Sequence, residues 1–441
     1  MIGNNATKGT ILGGTCINVG CVPSKRLITV GSFIEDLGQK KFAGLNYTVG
    51  KIDYSKVAEE KTRLVNGLRK EKYKDVLEGL ENVTYVNETG SFVDKNTIKA
   101  GRKTLGATNI LVSTGAQAAL PQIEGIEKAT YFTNEEALSI KELPESLIVI
   151  GGRAIGLEFA QMFANFGVKV TLLQRSERII PNWEPEVSSH LEHYLKASGV
   201  KIVTNATPIK IETSRRNKII AAIVRGNRVS FEAEEVLFAT GRRANTGTLN
   251  LGAAGVDLNA RGFIKIDKKL KTTADGIYAA GDVTGEPMLE TLAAKEGNIA
   301  TANAFQHADK EININEVPSA IFTYPEAAMV GFTEEQVVKN GIRCACSPIE
   351  LKLIPKSRII GDYRGLIKIV IDNKTKKILG VHMLAPHAAD MIHEGVLAVK
   401  FGLTIDDIID TVHVFPTLSE GFKLSAQSFY EDVSKLSCCT A

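Results

Sequence analysis

The chain has 441 residues, 44% hydrophobic and 23% charged, an ordinary globular composition long enough for about two to four domains. A net charge of +3 is close to neutral at this size and implies no nucleic-acid or acidic-membrane partner, and no apolar run reaches the roughly 18 residues that a membrane span needs. Six cysteines are too few for a disulfide scaffold, and the start, MIGNNATKGTILGG, lacks the basic-then-apolar order of a secretory signal, so the cytoplasm is the expected compartment.

The first informative stretch is Gly13 to Lys25, GGTCINVGCVPSK, with Cys16 and Cys21 five residues apart. On a regular helix residues i and i+5 point about 140° apart, so these sulfurs pair only across a distorted turn. Gly13, Gly14 and Gly20 permit such bending at low steric cost. Two readings stand on the spacing: an accessible redox pair, or two buried thiols beside a turn.

Apolar residues at helical spacing follow: Leu27, Val30, Phe33 and Ile34, then Val57, Leu64, Val65 and Leu68. They predict two helices joined by a loop near Gly44, with Tyr73 on the second as an amphipathic-helix tyrosine. VTYV, GSFV, TIKA and NILVSTG then read as short strands. LIVIGG, 147 to 152, RAIGLEFAQMFANFG and VKVTLLQRSERI make a strand, a glycine turn, an amphipathic helix and a second strand. This βαβ unit offers a helix N-terminus to a pyrophosphate, with Gly151, Gly152 and Gly156 at the turn and Arg153 where a middle glycine is usual. At the end of the second strand Gln174 replaces the acid that would bind a ribose 2′-hydroxyl, and Arg175 and Arg178 follow. That exchange favours NADPH, the arginines being otherwise surface charges.

EEVLFATGRRAN closes the unit with a buried strand, and TTADGIYAAGDVTG ends a strand at Gly281 and Asp282, a carboxylate placed to bind a polyol or simply to sit in a turn. From about Val317 a third region contains the hairpin LIKIVIDNKTKKILGVHML. His387 and His393, six apart, share no helical face and give no metal site, and Cys344 and Cys346 project to one face of an expected strand, read as core or edge packing ahead of metal binding. The terminal KLSCCTA sets Cys438 and Cys439 side by side, either two soft ligands on a mobile tail or incidental cysteines.

GGTCxNxGCVPSK resembles the redox segment of the flavoprotein disulfide reductases, and the C-x4-C pair, the CC tail, GGRAIGLEFAQMFANFG and LQRSERIIP resemble the mercuric reductase branch from about Gly13 to the last residue. The resemblance implies an α/β fold with two dinucleotide-binding, Rossmann-like domains and a C-terminal α+β dimerisation domain. The expected division is 1–143 with 266–316 for FAD, 144–265 for NAD(P), and 317–441 for dimerisation. It implies FAD and NADPH as cofactors and reduction of Hg(II) to Hg(0) by a homodimer with its site at the subunit interface.

Cys16 is then the exchanging thiol and Cys21 the flavin-facing one, while Tyr73 faces the metal. Cys438 and Cys439 of the partner subunit deliver Hg(II), held as a dithiolate, to Cys16 and Cys21. Lys25, Gly115, Glu158, Gly241 and Asp282 are carried over as cofactor contacts. The family's terminal H-x-H-P-T-x-x-E motif reads VHVFPTLSEG here: His413 and Glu420 remain, and Phe415 stands where a proton-carrying histidine or a metal-facing tyrosine is expected. Phe415 argues against the lipoamide-type dithiol oxidoreductase, one of two alternatives; the other is a non-catalytic fragment that binds soft metal through four thiols. The resemblance also implies a strand, a G-x-G-x-x-G turn and a helix about 30 residues ahead of the cysteine pair. Only 15 residues precede Cys16, so the expectation is a start further upstream or weak FAD binding, and the N-terminal GMTCxxC metal-binding domain is not found.

Overall fold

A computed structural model describes residues 1–3, 12–39, 41–45 and 48–436. They form two compact units, one built from 1–24, 59–121 and 240–314, the other from 25–58, 122–239 and 315–441.

In the first unit GSFVD, TIKA and KTLG form an antiparallel meander, Gly90–Asp94, Thr97–Ala100 and Lys103–Gly106. Asp94 turns the first corner by accepting the Asn96 N–H at 2.8 Å. Among the described residues VTYV joins no strand, and Val86 alone of it forms a bridge, parallel to Ile2. Ile110–Val112 and Ile277–Ala279 pair in parallel, and Ala116–Ala118 pairs antiparallel with Arg242–Ala244. Phe92, Ile110, Val112, Leu251, Ile264, Ile277 and Val283 form the core between them, and helix Glu290–Gln306 follows.

The second unit holds the βαβ element. Ser146–Ile150, helix Ala154–Asn165 and Lys169–Leu173 join a four-stranded parallel sheet in the order 235–238, 146–150, 169–173, 201–203. Four of the five residues of Ser146–Ile150 are buried, the continuous apolar run expected of a parallel strand covered on both faces. The C-terminal hairpin is present as Leu366–Asp372 paired with Ile378–Ala385, inside a five-stranded antiparallel sheet that has Cys344–Glu350 at one edge and Ser319–Ile321 at the other. Helices Ala388–Phe401 and Glu420–Gln427 pack against that sheet around Ile367, Ile369, Val381, Met383 and Phe422.

Candidate active site

The cysteine segment folds as a broken helix. Cys16 lies in the single turn Thr15–Val19, Gly20 interrupts it at φ −135° and ψ −115°, and Cys21 opens the long helix Cys21–Gln39. A Cβ on Gly20 would lie 2.9 Å from the Thr15 carbonyl oxygen, so the break closes more tightly than a larger residue permits. This is the distortion the spacing demands. Both cysteines are thiols here, Cys16 half-buried and Cys21 exposed.

Tyr73 stands over this turn. It belongs to a π-helical turn, Lys70–Lys74, that follows helix Tyr54–Arg69. Gly13 has φ +100°, and a Cβ there would overlap the Tyr73 ring at 1.9 Å, so the ring occupies the space the missing side chain leaves. Burial pushes the Tyr73 hydroxyl above the ordinary phenol range; a hydrogen bond from the Gly14 N–H opposes this, and Cys16, Glu290 and Cys21 add to the upward push. Tyr73 is therefore a neutral hydroxyl close to both sulfurs at physiological pH. Asn18, between the two cysteines, was missed from sequence. Its amide donates to the Gly14 carbonyl at 2.9 Å and its oxygen accepts from Arg69 Nε at 2.7 Å, tying the cysteine turn to the helix that precedes Tyr73. A polar residue inside the C-x4-C loop was the available signal.

Beside the turn, Arg242 donates through Nη2 to Thr15 Oγ1 at 3.3 Å and to the Ala116 carbonyl. Its Nε is buried without a hydrogen-bond acceptor among the described residues and lies 3.4 Å from the Asp282 carboxylate. Burial raises the Asp282 carboxyl and Arg242 pulls it back down. Gly281 donates its N–H to buried Glu296 at 2.6 Å, which fixes the turn carrying Asp282. Gly115 and Gly241, at φ 69° and 115°, flank the strand pair that carries Arg242.

In the second unit Gly151 has φ +119°, and a Cβ on Gly156 would sit 1.8 Å from its carbonyl oxygen. Only glycine lets the helix approach the strand this closely, and no side chain caps the helix's first turn after Arg153. Glu158, in the same helix and 5% exposed, accepts from Lys25 Nζ at 2.7 Å and from the Phe322 N–H at 2.9 Å, while Lys25 lies 4.6 Å from the centre of the Phe322 ring. Gln174 is buried and turns inward, accepting the Gly152 N–H at 3.0 Å and donating to the Arg178 carbonyl, so it braces the glycine turn. Arg178 Nη2 donates to the Pro181 carbonyl at 2.8 Å and the Trp183 carbonyl at 3.4 Å, so it braces its own loop, and Arg175 is the exposed guanidinium.

In the C-terminal region His413 Nε2 lies 2.7 Å from Glu394. Glu420 has one buried carboxylate oxygen without a partner among the described residues; burial raises this carboxyl against the pull of His413 and Lys423. Phe415 is exposed. Cys438 and Cys439 lie outside the described residues.

Comparison with known proteins agrees with these features. The chain is 40% identical to a mercuric reductase of Lysinibacillus sphaericus and 40% identical to one of Staphylococcus aureus, in each case over 98% of this chain and 79% of the relative. Its fold matches the HOCl-induced flavoprotein disulfide reductase RclA of Escherichia coli at a TM-score of 0.84 and 28% identity, over 98% of this chain and 94% of that one. Residues 3–297 match the family model of pyridine nucleotide-disulphide oxidoreductases and residues 317–426 match that family's dimerisation domain, so the chain belongs to the pyridine nucleotide-disulphide oxidoreductase family.

Proposed function

We propose that this chain is a mercuric reductase, using NADPH to reduce thiolate-bound Hg(II) to Hg(0) at Cys16 and Cys21. The observation that carries the reading is the cysteine turn itself: two thiols on either side of a helix break, under a tyrosine hydroxyl seated on Gly13. FAD and NAD(P)H are the cofactors of the family, and when bound they supply the electron pair. The residues present fit both. Gly151, at φ +119°, and Gly156, whose missing side chain lets the helix close on the Gly151 carbonyl oxygen, present a helix N-terminus without a side-chain cap, suited to a pyrophosphate. Arg242 Nε, buried beside its ion-pair partner Asp282 and without a hydrogen-bond acceptor among the described residues, leaves hydrogen-bonding capacity for a polyol.

Asp282, with Gly115, Gly241 and Arg242, would hold the flavin's polyol side. Lys25 and Glu158 would line the nicotinamide side, their ion pair fixing each other's orientation. Exposed Arg175 is the group favouring NADPH over NADH, since its guanidinium is available to a 2′-phosphate.

Two thiolates are the natural ligands of Hg(II), and Cys21 at a helix N-terminus is placed where negative charge is stabilised. Cys16 and Cys21 hold the ion, and Tyr73 offers a neutral hydroxyl oxygen beside it. The change balances as two electrons into a dithiolate-bound Hg(II), giving Hg(0) and two thiolates. Cys438 and Cys439 of a second copy would pass the ion in by thiolate exchange, releasing one pair of thiolates as the other binds; the protein works as a homodimer. Phe415 carries no proton, so dithiol chemistry needing an acid there is disfavoured.

The test is Hg(II)-dependent NADPH oxidation with excess thiol, repeated on Cys438→Ala/Cys439→Ala. The tail variant should lose rate at limiting thiol and recover it when thiol is raised. Unchanged turnover at limiting thiol would remove the relay from the account.

A further inference from the structure

The five-stranded sheet of the C-terminal region carries a polar cluster that the proposed reaction does not use. Cys344 and Cys346 stand two apart on its edge strand, so both project from one face. Strand pairing puts Lys368 and His382 on that same face, through Pro348 opposite Lys368 and Lys368 opposite His382. Glu334, at the start of helix Glu334–Lys339, faces the two cysteines. The two sulfurs and one Glu334 carboxylate oxygen all lie within 4.8 Å of one another. Cys346 hydrogen-bonds to Glu334. Glu334 also accepts from Lys368 Nζ at 2.8 Å, and the same ammonium meets Glu184 at 2.8 Å and Glu186 at 2.9 Å. Three carboxylates around one ammonium leave a local surplus of negative charge.

We propose that Cys344, Cys346 and Glu334 form a second soft-metal site, taking a thiophilic cation such as Hg(II), Cd(II) or Zn(II). Two thiolates and a carboxylate are the donor set of such an ion, not of Mg(II) or Ca(II). Two sulfurs each about 2.3 Å from one ion can be no more than about 4.6 Å apart, so the observed cluster closes on a cation by small side-chain rotations. On binding, two S–H protons leave to solvent and two metal–sulfur bonds form. The divalent ion with two thiolates and one carboxylate then carries a single negative charge, which Lys368 faces. Burial, with Glu334 adding to it, holds the Cys346 thiol well above its ordinary range, so a cation must bind thiolate strongly to displace that proton. The Glu334 side chain is half-exposed and both cysteines are half-buried on an edge strand, so solvent reaches the cluster.

The site stands apart from the reductase reading, because ion binding is read without turnover. The experiment is a calorimetric and ultraviolet titration of the full chain with Cd(II) in thiol-free buffer, comparing wild type with Cys344→Ser/Cys346→Ser and Glu334→Gln. The double variant should bind one Cd(II) fewer per chain and lose the matching share of thiolate-to-cadmium absorption. Glu334→Gln should keep the stoichiometry and weaken that ion by about tenfold or more. Equal stoichiometry and affinity in the double variant would overturn the proposal. Should circular dichroism show that the double variant does not fold, Cys344→Ser alone decides: it leaves the Cys346–Glu334 contact in place, and an undiminished Cd(II) count in it would be equally fatal.

Discussion

At residue scale, Gly13 and Tyr73 compete for one volume. The ring fills the space a side chain at position 13 would need, and the backbone there has φ +100°, so both sterics and conformation require glycine. Gly13→Ala should therefore push Tyr73 off the cysteine turn and cost roughly 1–3 kcal/mol in the strained backbone. Thermal unfolding should show the loss, and Hg(II)-dependent turnover should fall further than Tyr73→Phe alone. A variant as stable and active as wild type would mean that the packing of Tyr73 on Gly13 is dispensable. This relation was not legible beforehand: GGTC showed permissive glycines, but the aromatic partner comes from 60 residues later in the chain.

At element scale, helix Cys21–Gln39 is locked in place by charge. Arg364 donates to Glu35 at 2.8 Å and to Asp362 at 2.7 Å, and Lys41 reaches Asp362 at 3.3 Å, with Asp362 nearly inaccessible. Burial alone would raise the Asp362 carboxyl; the hydrogen bonds and charge of Arg364, with Lys41, outweigh it and hold the group below its usual range. Such a group stabilises the fold above the ordinary carboxylate range, and that contribution is lost as pH falls through its lowered value. Arg364→Ala leaves buried Asp362 short of its main partner and half-buried Glu35 without that contact, and should cost roughly 3–5 kcal/mol at neutral pH. In the variant burial dominates, so protonation relieves it, and the deficit should narrow as the pH is lowered toward about 4. Denaturant melts across that range check this, and a pH-independent deficit would contradict it. The helices, the βαβ unit and the hairpin were readable because apolar periodicity and glycine punctuation are local signals. The π-turn at Tyr73, the inward turn of Gln174 and the self-bracing of Arg178 were not, because each is settled by a partner brought near only by folding. VTYV alternates like a strand, yet among the described residues its one bridge is that of Val86 to Ile2.

At the scale of the whole molecule, no helix among the described residues is long and apolar enough to cross a membrane, and the dimerisation domain gives the chain a surface for its own second copy. Val412, Val414 and Phe415 are 92%, 76% and 52% exposed, apolar side chains that a second subunit would cover. Val412→Asp/Val414→Asp should shift the protein toward monomer in analytical ultracentrifugation, whereas an unchanged dimer would place the interface elsewhere. The central claim concerns where the electrons end. It is tested most directly by supplying Hg(II) with excess thiol, FAD and NADPH, and measuring volatile mercury against NADPH consumed, with Cys16→Ser/Cys21→Ser as the control. The account predicts one Hg(0) released per NADPH oxidised, abolished in the variant. NADPH oxidation that yields no mercury vapour, or vapour that persists without the two cysteines, would contradict it.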